Sequence, residues 1–165
     1  MEIKSVKIKK PENVNVIVGQ AHFIKTVEDL YEGIVSLVPG SPFGIAFCEA
    51  SGACKIRLEG NDEEMKKVAM ENATLIAAGH VFVIALAKAF PIQILNHIKG
   101  IQEVCTIFAA TANPLEVIVA DNGEGRGILG VIDGLSPKGV EDHEDVSWRK
   151  SLLRTLGYKD RKSVV

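Results

Sequence analysis

The sequence predicts an α/β protein: a three-layer α/β/α sandwich with a mixed sheet, folded as a single domain over residues 1–165. The chain is 47% apolar and 24% charged, and its 165 residues are enough to form one substantial core. Strand-like and helix-like segments alternate along most of its length. The run from Val81 to Leu86 is apolar on both alternating faces, which is typical of a central strand covered on two sides.

The N-terminal part is predicted to form two strands and a helix. Residues 3–8 alternate apolar residues with lysines, and a second short run covers residues 14–18, so the two are expected to pair as a hairpin. From Thr26 onwards, apolar residues recur at the i, i+3, i+4, i+7 spacing of an amphipathic helix. That helix is expected to end at Pro39-Gly40.

The rest of the chain continues the alternation. Strands are predicted over residues 43–48, 55–58, 81–86, 104–109, 115–120 and 128–132, each a short apolar run bounded by turn residues. Helices are predicted from Asp62 to a stop at Gly79, from Pro91 to Ile98, and around residues 146–156. Residues 160–165 are expected to form a polar tail.

Charge and composition exclude several classes of partner. Nineteen basic and 21 acidic residues leave a formal net charge of −2, so no overall field attracts nucleic acid or an anionic membrane. Any phosphate binding must therefore be local. Three unpaired cysteines and a charged N-terminus without a signal-peptide pattern favour a cytoplasmic protein. No apolar stretch approaches the roughly 20 residues of a membrane span.

Two polar residues interrupt apolar patterns that packing alone would explain. Asn72 occupies an apolar position on the stripe of the second helix, where its amide either bonds to nearby main chain or lines a ligand site. His80 lies between Gly79 and the central strand. It is either a core histidine with satisfied nitrogens or a reactive one, able to attack phosphorus.

A glycine-rich segment provides the local phosphate candidate. Gly125, Gly127 and Gly130 spell Gly-x-Gly-x-x-Gly, but a strand follows the motif instead of a helix, so a Rossmann fold is excluded. Arg126 offers a planar donor to phosphate oxygens, and Asp133 could ligate Mg²⁺. The alternative is a flexible hairpin turn followed by an Asp-Gly turn.

Segments over nearly the whole chain resemble the adenosine-specific kinases, a family of small archaeal and bacterial proteins. The resemblance implies an α/β/α domain that forms a homotrimer, binds AMP or adenosine, and carries a phosphoryl group on a histidine. The histidine that matches is His80, and the glycine–arginine motif is Gly125-Arg126-Gly127. The matching segments are Phe43 to Gly52, Glu71 to Ala73, Ala78 to Val83, Phe90 to Ile92, Ala109 to Pro114, Val117 to Ala120, Gly125 to Val131, Asp133-Gly134 and Leu153 to Lys159.

We therefore hypothesise phosphoryl transfer from ATP to adenosine, with His80 as phosphoryl carrier. Arg126 and the glycine N–H groups would stabilise the phosphoryl oxygens, while Asp133 or Glu49 would position Mg²⁺. Further expected nucleotide contacts are Glu49, Ser51, Asn72, Asn113 and Asp133. Two alternatives remain open: a non-enzymatic AMP or adenosine sensor, and a structural trimer whose polar residues serve its interface.

Overall fold

The computed structural model describes residues 1–160, and the predicted polar tail lies outside them except for Asp160. The elements are β1 (Glu2–Lys7), β2 (Val14–Ala21), α1 (Thr26–Leu37), β3 (Phe43–Cys48), β4 (Ile56–Gly60), α2 (Glu63–Ile76), β5 (Val81–Ala87), a 3₁₀ turn (Pro91–Gln93), α3 (Leu95–Gly100), β6 (Val104–Thr111), β7 (Leu115–Asp121), β8 (Arg126–Asp133) and α4 (His143–Thr155). Every helix in this range is too short or too polar to span a bilayer.

The chain forms two compact units. The first, Met1–Gly134, contains every strand of the described residues together with α1, α2 and α3. The second begins at Leu135 and contains α4, whose first turn is capped by the Asp142 carboxylate. The prediction that residues 1–165 fold as one domain stays a prediction.

A five-stranded sheet forms the centre of the first unit, in the order β4-β3-β5-β2-β6. Its middle strand, β5, is buried from Val81 through Leu86, as the two-sided apolar pattern predicted. The α/β class is confirmed, but every strand pair in the described residues is antiparallel rather than mixed. The crossover through α1 does make β2 and β3 parallel, but β5 is inserted between them, so the parallel strands are never neighbours.

The predicted N-terminal hairpin is wrong. β1 instead pairs with β7 in a second, three-stranded sheet of order β1-β7-β8, whereas β2 lies between β5 and β6. An alternating pattern fixes which residues face the core, but it does not fix the partner strand. The six-residue connection from Ile8 to Asn13 also lacks the short turn that enforces a hairpin.

Two hydrophobic cores flank the five-stranded sheet, which gives the predicted layering. On one face, α1 and α3 pack through residues such as Leu30, Ile34 and Ile98 against the strands. On the other face, α2 shares the outer layer with the three-stranded sheet, which contributes Val117 and Val119. The second outer layer is therefore part helix and part sheet.

Asn72 secures the layer that contains α2. Its side chain is fully buried, and its Oδ1 accepts a hydrogen bond from the Lys9 N–H at 2.8 Å. Its Nδ2 donates to the carbonyl oxygens of Lys9 at 2.7 Å and Val68 at 2.9 Å. The amide is thus satisfied by main chain, which was the simpler of its two interpretations, and it ties the connection after β1 to α2.

Replacing Asn72 by alanine should destabilise the protein by about 1–3 kcal/mol, because the N–H and carbonyl groups of Lys9 would lose their partners. Urea unfolding followed by circular dichroism measures the change. Asn96→Ala, at an exposed position of α3, is the control and should alter stability by less than about 0.5 kcal/mol. Equal stability of the two variants would contradict the structural role of Asn72.

Candidate functional site

A cavity of about 510 Å³ opens where β3 ends and β5 begins. Three parts of the chain line it: the connection between β3 and β4, the segment between α2 and β5, and the β7–β8 hairpin. The lining residues that matter for chemistry are Glu49, Cys54, Lys55, Gly79, Gly125 and Arg126. We refer to this space as the Arg126 cavity.

The glycine-rich motif forms the β7–β8 hairpin. Its turn is closed by side chains, since the Asn122 Oδ1 accepts from the N–H groups of Glu124 at 3.0 Å and Gly125 at 2.8 Å, and the Asp121 Oδ1 accepts from Gly123 at 2.9 Å. The N–H of Gly125 is therefore already used and is not a free phosphate donor, contrary to expectation. Gly125 and Gly127 have open space beside their Cα atoms, which leaves the surroundings of Arg126 uncrowded.

The Arg126 side chain is held from two directions. Asp121 lies directly opposite it in the hairpin register, and its Oδ2 accepts from the Arg126 Nε at 3.0 Å. The Arg126 Nη1 donates to the carbonyl oxygens of Leu75 at 3.2 Å and Ile76 at 3.5 Å, which are acceptors left open at the end of α2. Within the described residues, the Arg126 Nη2 has no protein partner.

Asp121 is also bound by a second cation. The Lys4 Nζ donates to the Asp121 Oδ2 at 2.9 Å. Hydrogen bonds from Lys4, from the Gly123 N–H and from Arg126 hold the pKa of the Asp121 carboxyl well below its usual range. Asp121 therefore stays ionised and fixes the orientation of the guanidinium.

His80 adopts a left-handed backbone conformation, with φ of +62°, immediately before β5. Its N–H donates to the Cys48 carbonyl at 2.8 Å, and its own carbonyl accepts from the Ala21 N–H at 3.0 Å. The imidazole stacks on Phe47, with ring centroids 6.0 Å apart and an interplanar angle of 22°. Because Phe47 belongs to the core beside α1, the imidazole and the Arg126 guanidinium lie towards opposite faces of the five-stranded sheet.

The segment between α2 and His80 packs closely against the β3–β4 connection. α2 ends at Ile76 rather than near Gly79, because Ala77 takes a left-handed conformation with φ of +52°. At Gly79, an added Cβ would lie 2.8 Å from the Cβ of Ala50. Only glycine therefore allows the β3–β4 connection to pack this closely against the residue before His80.

The Glu49 carboxylate already accepts hydrogen bonds from neighbouring residues. Its carboxylate accepts from the Lys55 N–H at 2.7 Å and from the Arg57 Nε and Nη2 at 3.0 and 2.7 Å. These hydrogen bonds, that of Lys55 first, hold the pKa of Glu49 below its usual value. Ser51 is exposed in the same connection, and its carbonyl accepts from the Cys54 N–H. Ser51 does not line the cavity.

Asp133 and Asn113 lie far from Arg126. They are at the opposite end of β8, which at about 3.3 Å per residue places Asp133 roughly 23 Å from Arg126 along the strand. The Asp133 Oδ1 accepts from the Thr111 Oγ1 at 2.8 Å and from the Asn113 Nδ2 at 3.1 Å. Within one chain, Asp133 and Arg126 therefore do not form one site.

The residues expected to position Mg²⁺ do not fit that role in a single chain. Glu49 is paired with Arg57, and Asp133 is hydrogen-bonded at the far end of β8. Among residues 1–160, no cluster of three or more metal-ligating side chains is placed to hold an ion. We therefore assign no step to a metal held by these residues.

Sequence reasoning missed Asp121, Lys4, Lys55 and Cys54. The Asp121–Arg126 pair was detectable in principle, because an aspartate and an arginine flank an Asn-Gly turn at a spacing of five residues. Lys4 was not detectable, because its role depends on β1 pairing with β7.

Comparison with known proteins agrees with the resemblance seen in the sequence. The profile of the family described as adenosine specific kinase matches residues 6–159. The chain belongs to this family. Among solved structures, it is similar to the PH1918 protein from Pyrococcus horikoshii OT3, with 44% identity and a TM-score of 0.91 over 96% of this chain and 98% of that one. No curated protein matches this chain.

The two cysteines of the Arg126 cavity should differ in reactivity. Cys54 is exposed, whereas Cys48 is buried, and burial raises the pKa of the Cys48 thiol to about 11. At pH 8, iodoacetamide should therefore modify Cys54 and spare Cys48, because the thiolate is the reacting form. Peptide mass spectrometry measures both, and the exposed Cys105 serves as the control. Comparable labelling of Cys48 and Cys54 would contradict this assignment.

Proposed function

We propose that this protein catalyses the ATP-dependent phosphorylation of adenosine to AMP. The observation that carries the proposal is membership of the adenosine specific kinase family across residues 6–159. The Arg126 cavity supports it, because it combines a fixed guanidinium with an open, glycine-lined surface. The homotrimer that the resemblance implies remains part of this proposal.

Arg126 is proposed to bind the phosphoryl oxygens. Its Nε and Nη1 are held by Asp121 and by the end of α2, which leaves Nη2 to donate to an anion. A donor fixed before substrate arrives needs no reorganisation during the reaction, and phosphoryl transfer depends on such charge stabilisation. Lys55 adds a second positive charge to the same lining.

His80 is proposed to carry the phosphoryl group between two transfers. In the first, an imidazole nitrogen forms a bond to the γ-phosphorus while the bond to ADP breaks, and ADP leaves. In the second, the adenosine hydroxyl forms a bond to phosphorus and loses its proton to solvent, while the nitrogen–phosphorus bond breaks and the neutral imidazole is restored. For Arg126 and His80 to reach the same phosphoryl group, the nucleotide must lie over Gly79, at the strand ends between the two faces of the sheet.

A nucleotide sensor without turnover is the second candidate. It is favoured by the use of the Gly125 N–H within its own turn and by the pairing of Glu49 with Arg57. These contacts leave fewer groups for catalysis than the sequence suggested, but they do not reduce the capacity of Arg126 to bind phosphate. Tight AMP binding without turnover of ATP and adenosine would identify a sensor.

Replacing Arg126 by alanine should lower kcat/KM for AMP formation by about 10²–10³-fold, because one donor fixed on the transferring group is lost. We expect AMP to raise the melting temperature of the wild type but not that of Arg126→Ala. Arg149→Ala is the matched control, since Arg149 also pairs with a carboxylate but belongs to α4 in the second compact unit. Equal activity of the two variants would overturn the role of Arg126.

His80→Asn tests the phosphoryl carrier. Asparagine tolerates the left-handed backbone at this position better than alanine does, so the variant should keep the fold. Wild-type protein incubated with γ-labelled ATP should acquire an acid-labile label, and His80→Asn should acquire none. His143→Asn, at the start of α4, should label normally. A fully labelled His80→Asn protein would exclude His80 as the carrier.

A further inference from the structure

A second cavity, of about 380 Å³, lies beside α1 and α3 and shares no lining residue with the Arg126 cavity. Its charged lining comes from the start and middle of α1 and from the residue before β6. The side chains that matter are Lys25, Asp29, Glu32, His97 and Glu103. We call this space the carboxylate cavity.

Glu103 is the unusual member of this set. It is only 5% exposed, and its Oε1 has no hydrogen-bond partner within the described residues. The nearest cation, the Lys25 Nζ, is 3.9 Å from that oxygen, which is too far for a hydrogen bond, and Lys25 is instead hydrogen-bonded to Asp29. A buried carboxylate oxygen without a donor is costly, so this atom marks a place where a donor is missing.

The charges around Glu103 favour a cation. Three residues with carboxylates, Asp29, Glu32 and Glu103, line the cavity together with one ammonium, that of Lys25. Burial, and then the neighbouring Asp29 carboxylate, raise the pKa of the Glu103 carboxyl above its usual value. A cation that reaches the Oε1 atom would offset both effects.

The walls of the cavity favour an organic cation over a metal ion. No group of three or more metal-ligating side chains among residues 1–160 is placed to hold a metal. Leu37 and Ile101 provide an apolar wall suited to an alkyl chain. His97 packs against the backbone of α1 at Gly33, where any Cβ would overlap its Nε2, so this side is closed by an imidazole.

We propose that the carboxylate cavity binds a small alkylammonium cation, whose ammonium group takes the place of Lys25 and donates a hydrogen bond to Glu103. The alkyl chain lies along Leu37 and Ile101. The site is separate from the proposed nucleotide site and does not depend on the kinase activity. Because the ammonium binds the ionised carboxylate, protonation of Glu103 opposes binding, and affinity falls as the pH falls through the raised pKa of that carboxyl.

Calorimetric titration with n-butylammonium chloride tests this directly. At neutral pH, we expect saturable binding to the wild type. 1-Butanol has the same chain without the charge and should not bind. Wild-type protein that fails to bind n-butylammonium, or that binds 1-butanol equally, overturns the proposal.

Three variants locate the site. Glu103→Gln should weaken n-butylammonium binding at least tenfold, whereas Glu141→Gln, which changes an exposed carboxylate paired with Arg149, should leave the affinity unchanged. Lys25→Met removes the competing ammonium and should strengthen binding severalfold. Unchanged affinity in both Glu103→Gln and Lys25→Met would place the ligand elsewhere and refute the assignment. The melting-temperature shift with AMP in Glu103→Gln reports fold and nucleotide binding independently.

Discussion

The backbone of His80 joins three neighbouring strands of the central sheet. Its N–H bonds to the last residue of β3 and its carbonyl to the last residue of β2, while the chain continues directly into β5. A left-handed conformation in a residue other than glycine costs about 1–3 kcal/mol, and it persists only where surrounding contacts enforce it. Here two hydrogen bonds enforce it. The same geometry positions Gly79 against Ala50, so the wall of the Arg126 cavity depends on this junction.

The other wall of that cavity comes from the second sheet, and its position depends on how charge is balanced. The Arg126 guanidinium is brought to the end of α2 by β8, where the carbonyl oxygens of Leu75 and Ile76 accept from it. Asp121 neutralises it from the adjacent strand and is itself held ionised by Lys4. Because Asp121 neutralises the guanidinium, Arg126 adds little to the electric field of the protein, whose formal net charge is −2. It acts on an anion only at short range, through the donor that its partners leave open.

The local elements were predictable because they depend on periodicity alone. The two-sided apolar run Val81–Leu86 became the central strand, and the helix from Thr26 forms as expected. Pairing was not predictable, because the strand partner of residues 3–8 lies more than 100 residues away in β7. The same limit explains the candidate site. Arg126 and Asp133 are seven residues apart in sequence, but an extended strand separates them by about 23 Å. Asp121 and Arg126 meet because a turn reverses the chain between them.

The two cavities differ in whether the protein supplies hydrogen-bond partners to a charged side chain. At Arg126, every contact inside the protein opposes its charge, so the side chain is rigid before a ligand arrives. At Glu103, burial is nearly complete but no donor reaches the Oε1 atom, and burial raises the pKa of this carboxyl. A compensated charge can bind an anion without reorganisation, whereas an uncompensated carboxylate gains most from a cation that supplies the missing donor. Protonation of Glu103 competes with that cation, whereas the carboxylate partner of Arg126 stays ionised.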